Sequence, residues 1–151
     1  FTKNNIISQI FAGLLVGIGM SLILTLVPYL FGFGAYVNNG KSYQHLWQFV
    51  YEFFYCVTAI GFVEEFVFRG FIYDKIKKIS QKEVTAIIGS SVLFGAFHLF
   101  SGNLIQMFMT ACIGAFLCFC RLKIKNCSTL SLIIAHGVYD ALITVWASIL
   151  L

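Results

Sequence analysis

The sequence predicts an all-α fold, a polytopic transmembrane helical bundle of about five spans, and three observations predict it. Of 151 residues, 60% are hydrophobic and 11% charged, with a mean hydropathy of +0.90; a soluble domain is about 45–50% apolar and about 25% charged. The apolar residues lie in runs near the ~20 residues that a helix needs to cross a bilayer. Lysine and arginine gather in two of the loops between those runs, which is how membrane proteins encode orientation.

The first span covers about 6–31; it carries Gly13 and Gly17 at small-xxx-small spacing and the only proline, Pro28, near its far end. Both features suit close helix packing and a kink. After a polar loop with Asn38, Asn39, Gly40 and Lys41, a long segment over about 46–76 opens beside Tyr43 and Trp47, and it is too long for one straight crossing, so it tilts or emerges. The third span, about 84–99, has Gly89, Ser90, Ser91, Gly95 and Ala96 and is expected at the centre of the bundle. Ser101, Gly102 and Asn103 turn the chain into a fourth span ending near Arg121, and the fifth covers about 129–151.

Lys75, Lys77, Lys78 and Lys82 separate spans two and three, Arg121, Lys123 and Lys125 separate four and five, and the opposite loops hold only Lys41. With Lys3 at the start, the alternation puts the N-terminus and both basic loops in the cytoplasm and the C-terminus outside. The net charge of +4 is therefore a topology signal, and nucleic acid is excluded as a partner in favour of lipid and peptide. The chain opens on Phe1 without the charged, apolar and small-residue succession of a signal peptide, and reads as one domain over 1–151 or a fragment of something longer. Five cysteines without CxxC spacing read as small hydrophobes at Cys112, Cys118 and Cys120, and as a plain free thiol rather than an acylation site at Cys127.

An ionisable side chain at the bilayer centre costs about 2.5–3.5 kcal/mol on insertion scales, so such residues face a partner or a task. Spans one and four have none between their flanks, whereas span two has Glu64, Glu65 and Arg69, span three His98, and span five His136 and Asp140. Glu64 and His136 each stand eleven residues from a cytoplasmic lysine, Lys75 and Lys125, roughly 16 Å along a helix, which puts both near the midplane. His98 counts roughly 24 Å from Lys82 on the same rise, so span three must tilt, begin later or end in an irregular turn at Ser101 and Gly102.

Glu65 and Arg69 stand at i and i+4 with the acid first, the favourable order for a helical ion pair. Glu64, about 100° around the helix, is left without a local cation, and a desolvated carboxylate makes a stronger general base. His136 and Asp140 repeat the i, i+4 spacing. A Glu–Arg pair at a helix end is ordinarily structural, and a lone buried histidine is ordinarily a satisfied core residue; acids and imidazoles on three helices together favour a site. Glu52 is expected solvated at the outer interface and His45 interfacial. Phe94 and Tyr139 are candidates for lining a cavity, although aromatic residues on apolar helices are ordinarily packing.

These residues carry a resemblance. Glu64-Glu65-Phe66-Val67-Phe68-Arg69-Gly70 resembles the EExxFRG motif of the CAAX-protease and bacteriocin-processing (CPBP, or Abi) family, Phe94-Gly95-Ala96-Phe97-His98 its FxxxH, and His136-Gly137-Val138-Tyr139-Asp140 its HxxxN/D. The resemblance covers roughly 61–140 and implies an intramembrane endopeptidase of the bacterial cell membrane, with its site reached from the cytoplasmic side. Glu64 and His98 would activate a water, His136 and Asp140 would stabilise the oxyanion, and Glu65 with Arg69 would support Glu64. Members that trim prenylated proteins typically carry Asn where this chain has Asp140; an ionised Asp cannot donate, so it must be protonated, orient His136 or bind a metal.

Members of the family have also been described as metalloproteases, and Glu64, His98, His136 and Asp140 form an acceptable zinc ligand set. With no HExxH present, the metal-free glutamate mechanism is favoured and no cofactor is expected; zinc is the alternative. The resemblance implies as partners membrane lipid and a hydrophobic peptide or protein C-terminus. Two other functions compete: bacteriocin immunity through peptide binding without cleavage, and a small transporter or proton relay.

Overall fold

Small residues set the distances at which the helices of this chain meet. The computed structural model describes residues 5–34, 40–41, 43–100 and 104–150; Lys3, Asn38, Asn39, Ser101, Gly102 and Asn103 lie outside them. Helix α1 is Ile6–Phe33 and α2 is Leu46–Ser80; α3 is Glu83–His98, α4 Leu104–Lys123 and α5 Thr129–Leu150. No strand occurs among the described residues. Four of these helices are long and apolar enough to cross a membrane, and α3 is a shorter apolar helix. The chain is an integral membrane protein.

A Cβ on Gly13 would stand 2.6 Å from the Ser131 carbonyl oxygen, and one on Gly17 2.6 Å from that of Ala135. Glycine alone lets α1 lie this close to α5. Gly137 plays the same part between α5 and α2, where an added Cβ would meet the Val57 Cα at 2.4 Å. Helix α5, packed by α1 on one side and α2 on the other, is therefore the central element. The expected centre, α3, instead lies at the flank between α2 and α4. Its small residues serve those two neighbours, while Val84, Ile88 and Val92 leave the opposite face exposed and apolar.

The kink expected near Pro28 falls at Gly32, which takes φ 85° in the last turn of α1. Wide π-helical turns at Leu22–Leu26 and Tyr29–Phe33 stand on either side of the proline, whose missing N–H cannot serve a regular ladder. Helix α2 carries two more, Cys56–Gly61 and Phe66–Ile72, on either side of Phe62–Glu65. Such turns concentrate at functional sites because the extra residue re-aims the side chains around it.

The expected alternation of ends is met. Ser128, in the α4–α5 loop, hydrogen-bonds Gln9 near the start of α1, and Arg121 pairs with Asp74 near the end of α2. At the other end the Tyr43 N–H donates to Ser148 Oγ at 3.2 Å. The start of α1 and both basic loops thus share one face of the bundle.

Helix α2 continues through Lys75 to Ser80 and turns at Gln81, which takes φ 57°. Glu64 lies seventeen residues before that turn and His98 seventeen after it, so the two sit at one height, about 26 Å in. Counting from Lys75 and Lys82 misses this because Lys75 is inside the helix. His136 is seven residues from the start of α5, about 10 Å, and stands beside Glu64 at 3.7 Å, so the α2–α3 turn projects about 15 Å beyond the start of α5.

Glu52 is also not where a solvated residue belongs. Its carboxylate is 3% exposed, with the Lys41 ammonium at 2.5 Å, the Tyr43 hydroxyl at 3.0 Å and the Cys56 thiol at 3.7 Å. The chain before α2 folds back to supply two of these partners, which sequence spacing does not reveal. His45 is exposed, as expected, and precedes α2 where Gln48 accepts its N–H at 2.9 Å. Cys118, Cys120 and Cys127 are buried free thiols and Cys112 an exposed one.

Two predictions follow from the packing. Gly17→Val has no room at the α1–α5 contact and should lose at least ~2 kcal/mol of stability, read as thermal unfolding in detergent; an unchanged midpoint would contradict the packing. The hydrogen bond to Glu52 lifts the Lys41 pKa above its ordinary 10.5, so the stability it contributes is full below that value and lost as pH rises through the lifted one. Lys41→Met should accordingly lower the melting temperature at pH 7 to 9, and its deficit against the wild type should close as the pH rises through the lifted value.

Candidate active site

Adjacent residues on a helix point about 100° apart, and that rotation sends Glu64 and Glu65 to different neighbours. Glu65 turns inward, with no exposed surface. Its Oε1 accepts from Arg69 Nη1 at 2.8 Å, the i, i+4 pair expected, and from His136 Nδ1 at 2.8 Å. The second bond, across 71 residues of sequence, is invisible to local spacing.

Arg69 is equally buried, with its guanidinium 4.0 Å over the Phe94 ring. A Cβ on Gly114 of α4 would stand 2.8 Å from Arg69 Nη2, so glycine clears the space for the cation. Phe94 is 1% exposed and meets the His98 and His136 rings edge to face, at 4.8 and 5.9 Å between centroids. It floors the cluster, as the sequence allowed. Tyr139 does not; it packs against the core of Met20, Leu117 and Leu132.

His98 closes α3, and its Nδ1 lies 3.0 Å from the Phe94 carbonyl. A carbonyl only accepts, so the proton sits on Nδ1 and Nε2 is turned to Glu64. Glu64 Oε2 lies 3.9 Å from His98 Nε2 and 3.7 Å from His136 Nε2, and the latter nitrogen lies 3.5 Å from Asp140 Oδ2. Helices α2, α3 and α5 thus bring all four residues expected at the site together. The spacings exceed a direct hydrogen bond and suit groups that share a small polar molecule. Glu64 Oε2 is buried without a hydrogen-bond donor among the described residues.

Zinc needs three or more donors converging on one point at about 2.0–2.3 Å. Among the described residues no group of three His, Cys, Asp or Glu is so arranged. Glu64, His98, His136 and Asp140 meet in pairs around Glu64 Oε2 and His136 Nε2 instead, at 3.5 to 3.9 Å.

Helical spans with paired acids and imidazoles buried or half-buried between them define a polytopic membrane protein with a polar centre. Over residues 45–142 the sequence matches the family described as type II CAAX prenyl endopeptidase Rce1-like. The chain belongs to that family and is a CAAX-type intramembrane endopeptidase, a protease. Comparison with curated proteins and with solved structures returned no match.

Sequence reasoning missed what Glu65 does for His136 and the contact that Arg121 makes with Arg69, since both join distant segments. One signal was available for the first: a buried histidine needs a partner for each nitrogen, and Asp140 satisfies only one side. Removing one member of a buried pair leaves the other uncompensated, typically at 3–5 kcal/mol. Glu65→Gln should therefore destabilise the protein by about that much, and Glu65→Gln with Arg69→Met should recover part of it. A double-mutant cycle on thermal unfolding measures this, and strictly additive losses would contradict the pairing.

Proposed function

We propose that this protein hydrolyses a peptide bond in a hydrophobic or membrane-associated substrate, with a water activated by Glu64 and His98. The observation that carries the reading is the buried Glu64 Oε2, free of hydrogen-bond donors among the described residues and set between two imidazole Nε2 atoms at 3.9 and 3.7 Å. A water there can donate one proton to Glu64 and the other to His98 Nε2, which leaves its lone pair for the scissile carbonyl carbon.

Glu64 takes a proton as the water oxygen bonds to that carbon, and the carbonyl π electrons move to oxygen. His136, held at Nδ1 by Glu65, acts as the imidazolium and donates its Nε2–H to the oxyanion; a preorganised donor in a water-poor site is worth far more than in bulk water. Collapse of the tetrahedral intermediate breaks the C–N bond, and the proton on Glu64 passes to the leaving amine. Asp140 at 3.5 Å orients His136 and balances its charge, which needs no protonated acid and answers the Asn-to-Asp departure. Glu65 and Arg69 support this pair. No metal enters the scheme.

Positive charge on the face shared by both basic loops supports a cytoplasmic orientation for that face, and substrate would enter from it. The family name directs the test to a fluorophore–quencher peptide ending in a CAAX sequence, with and without farnesyl on the cysteine. Glu64→Gln should lower kcat at least ~100-fold, as expected for loss of a general base, without changing the melting temperature, and exhaustive chelation should leave the wild type active. A Glu64→Gln protein that keeps a peptide-protection phenotype would favour binding without cleavage. Activity lost on zinc removal and restored on its return would favour the metal.

A further inference from the structure

Helix α4 contributes none of the acids and imidazoles of the cluster, yet its last turn reaches the backbone beneath it. In a regular helix the Tyr73 N–H would bond the carbonyl four residues back, that of Arg69. In the wide turn Phe66–Ile72 it bonds the Phe68 carbonyl instead. A carbonyl that loses its i+4 donor is open to another. Arg121 provides it: Nη1 donates to the Arg69 carbonyl oxygen at 2.6 Å, while Nη2 lies 3.5 Å from Asp74 and the guanidinium carbon 5.2 Å from the centre of the Tyr73 ring.

The consequence travels through direct contacts. If the wide turn closed to a regular one, the side chains on its two sides would shift by one register step, about 100° of rotation. Arg69 lies within that turn and Glu65 immediately before it. Their i, i+4 spacing suits a regular turn as well, but the rotation would carry Arg69 off the Phe94 ring and out of the space beside Gly114. Glu65, bonded to both Arg69 and His136 Nδ1, would have to follow Arg69 or release it. We propose that Arg121 is a positioning residue for the hydrolysis: by holding the Arg69 carbonyl it keeps the turn open and the Arg69–Glu65–His136 chain in line. This rests on the reading that the Glu64–His98–His136 cluster performs the reaction. The sequence alone marks Arg121 only as a topology charge.

The test uses the full chain in detergent with the farnesylated CAAX fluorogenic peptide and compares wild type, Arg121→Gln, Arg121→Lys and Glu64→Gln. Arg121→Gln should lower kcat about tenfold with KM within twofold of wild type, because orientation in the transition state changes and peptide binding does not. Arg121→Lys, which keeps a charged donor but not the two-pronged guanidinium, should recover part of that loss, to within two- to fivefold of wild type, at an unchanged KM. Wild-type kcat in Arg121→Gln beside an inactive Glu64→Gln would overturn this inference and leave the reaction reading intact. An active Glu64→Gln would remove the reading itself. Should Arg121→Gln fail to fold, the kcat of Arg121→Lys decides: a two- to fivefold fall at constant KM supports positioning, whereas an equal rise in KM or wild-type kinetics contradicts it.

Discussion

One carboxylate, Glu65, holds a guanidinium and an imidazole on the same oxygen, each at 2.8 Å, where solvent does not reach. Unpaired, any of the three would carry an effective desolvation penalty of several kcal/mol. Paired, they fix the rotation of α2 against α5, because His136 Nδ1 and Arg69 must both find the same acid. The adjacent Glu64 is then delivered, by helix geometry alone, to the gap between the two Nε2 atoms. The arrangement of the proposed reacting groups is a by-product of satisfying the buried ion chain.

That chain is possible only because backbones approach closely. Gly13 and Gly17 seat α1 on α5, Gly137 seats α5 on α2, and Gly114 clears room for Arg69. Helix packing in lipid has little hydrophobic drive and depends on such contacts and on interhelical polar bonds. The two requirements reinforce each other: glycine brings the helices within reach, and the polar bonds among Glu65, Arg69 and His136 hold them there.

Much of this was legible in the chain. Run length fixed the five helices to within a few residues, except where α2 runs on to Ser80 through a polar end that hydropathy cannot follow. Clustering of intramembrane acids and imidazoles singled out the four residues that converge, since few other arrangements tolerate them in lipid. The rest depended on contacts between remote segments. Glu52 was expected in water because it lies near the outer interface, whereas its partners Lys41 and Tyr43 come from the preceding connection. Nothing near His136 in sequence points to Glu65, and nothing near Arg121 points to a carbonyl of α2. The central place went to α5 rather than α3 because packing on two sides, not the number of small residues, decides burial.

The claim on which the others rest concerns a single proton, the one between His136 Nδ1 and Glu65. The 15N spectrum of protein labelled at histidine, with His136 assigned by its substitution, reads the protonation of each ring nitrogen directly. Nδ1 should carry a slowly exchanging proton in hydrogen bond with a carboxylate at neutral pH, and lose that signature in Glu65→Gln. A His136 ring with Nδ1 unprotonated, or one whose spectrum is indifferent to Glu65, would contradict the ion chain and the site built upon it.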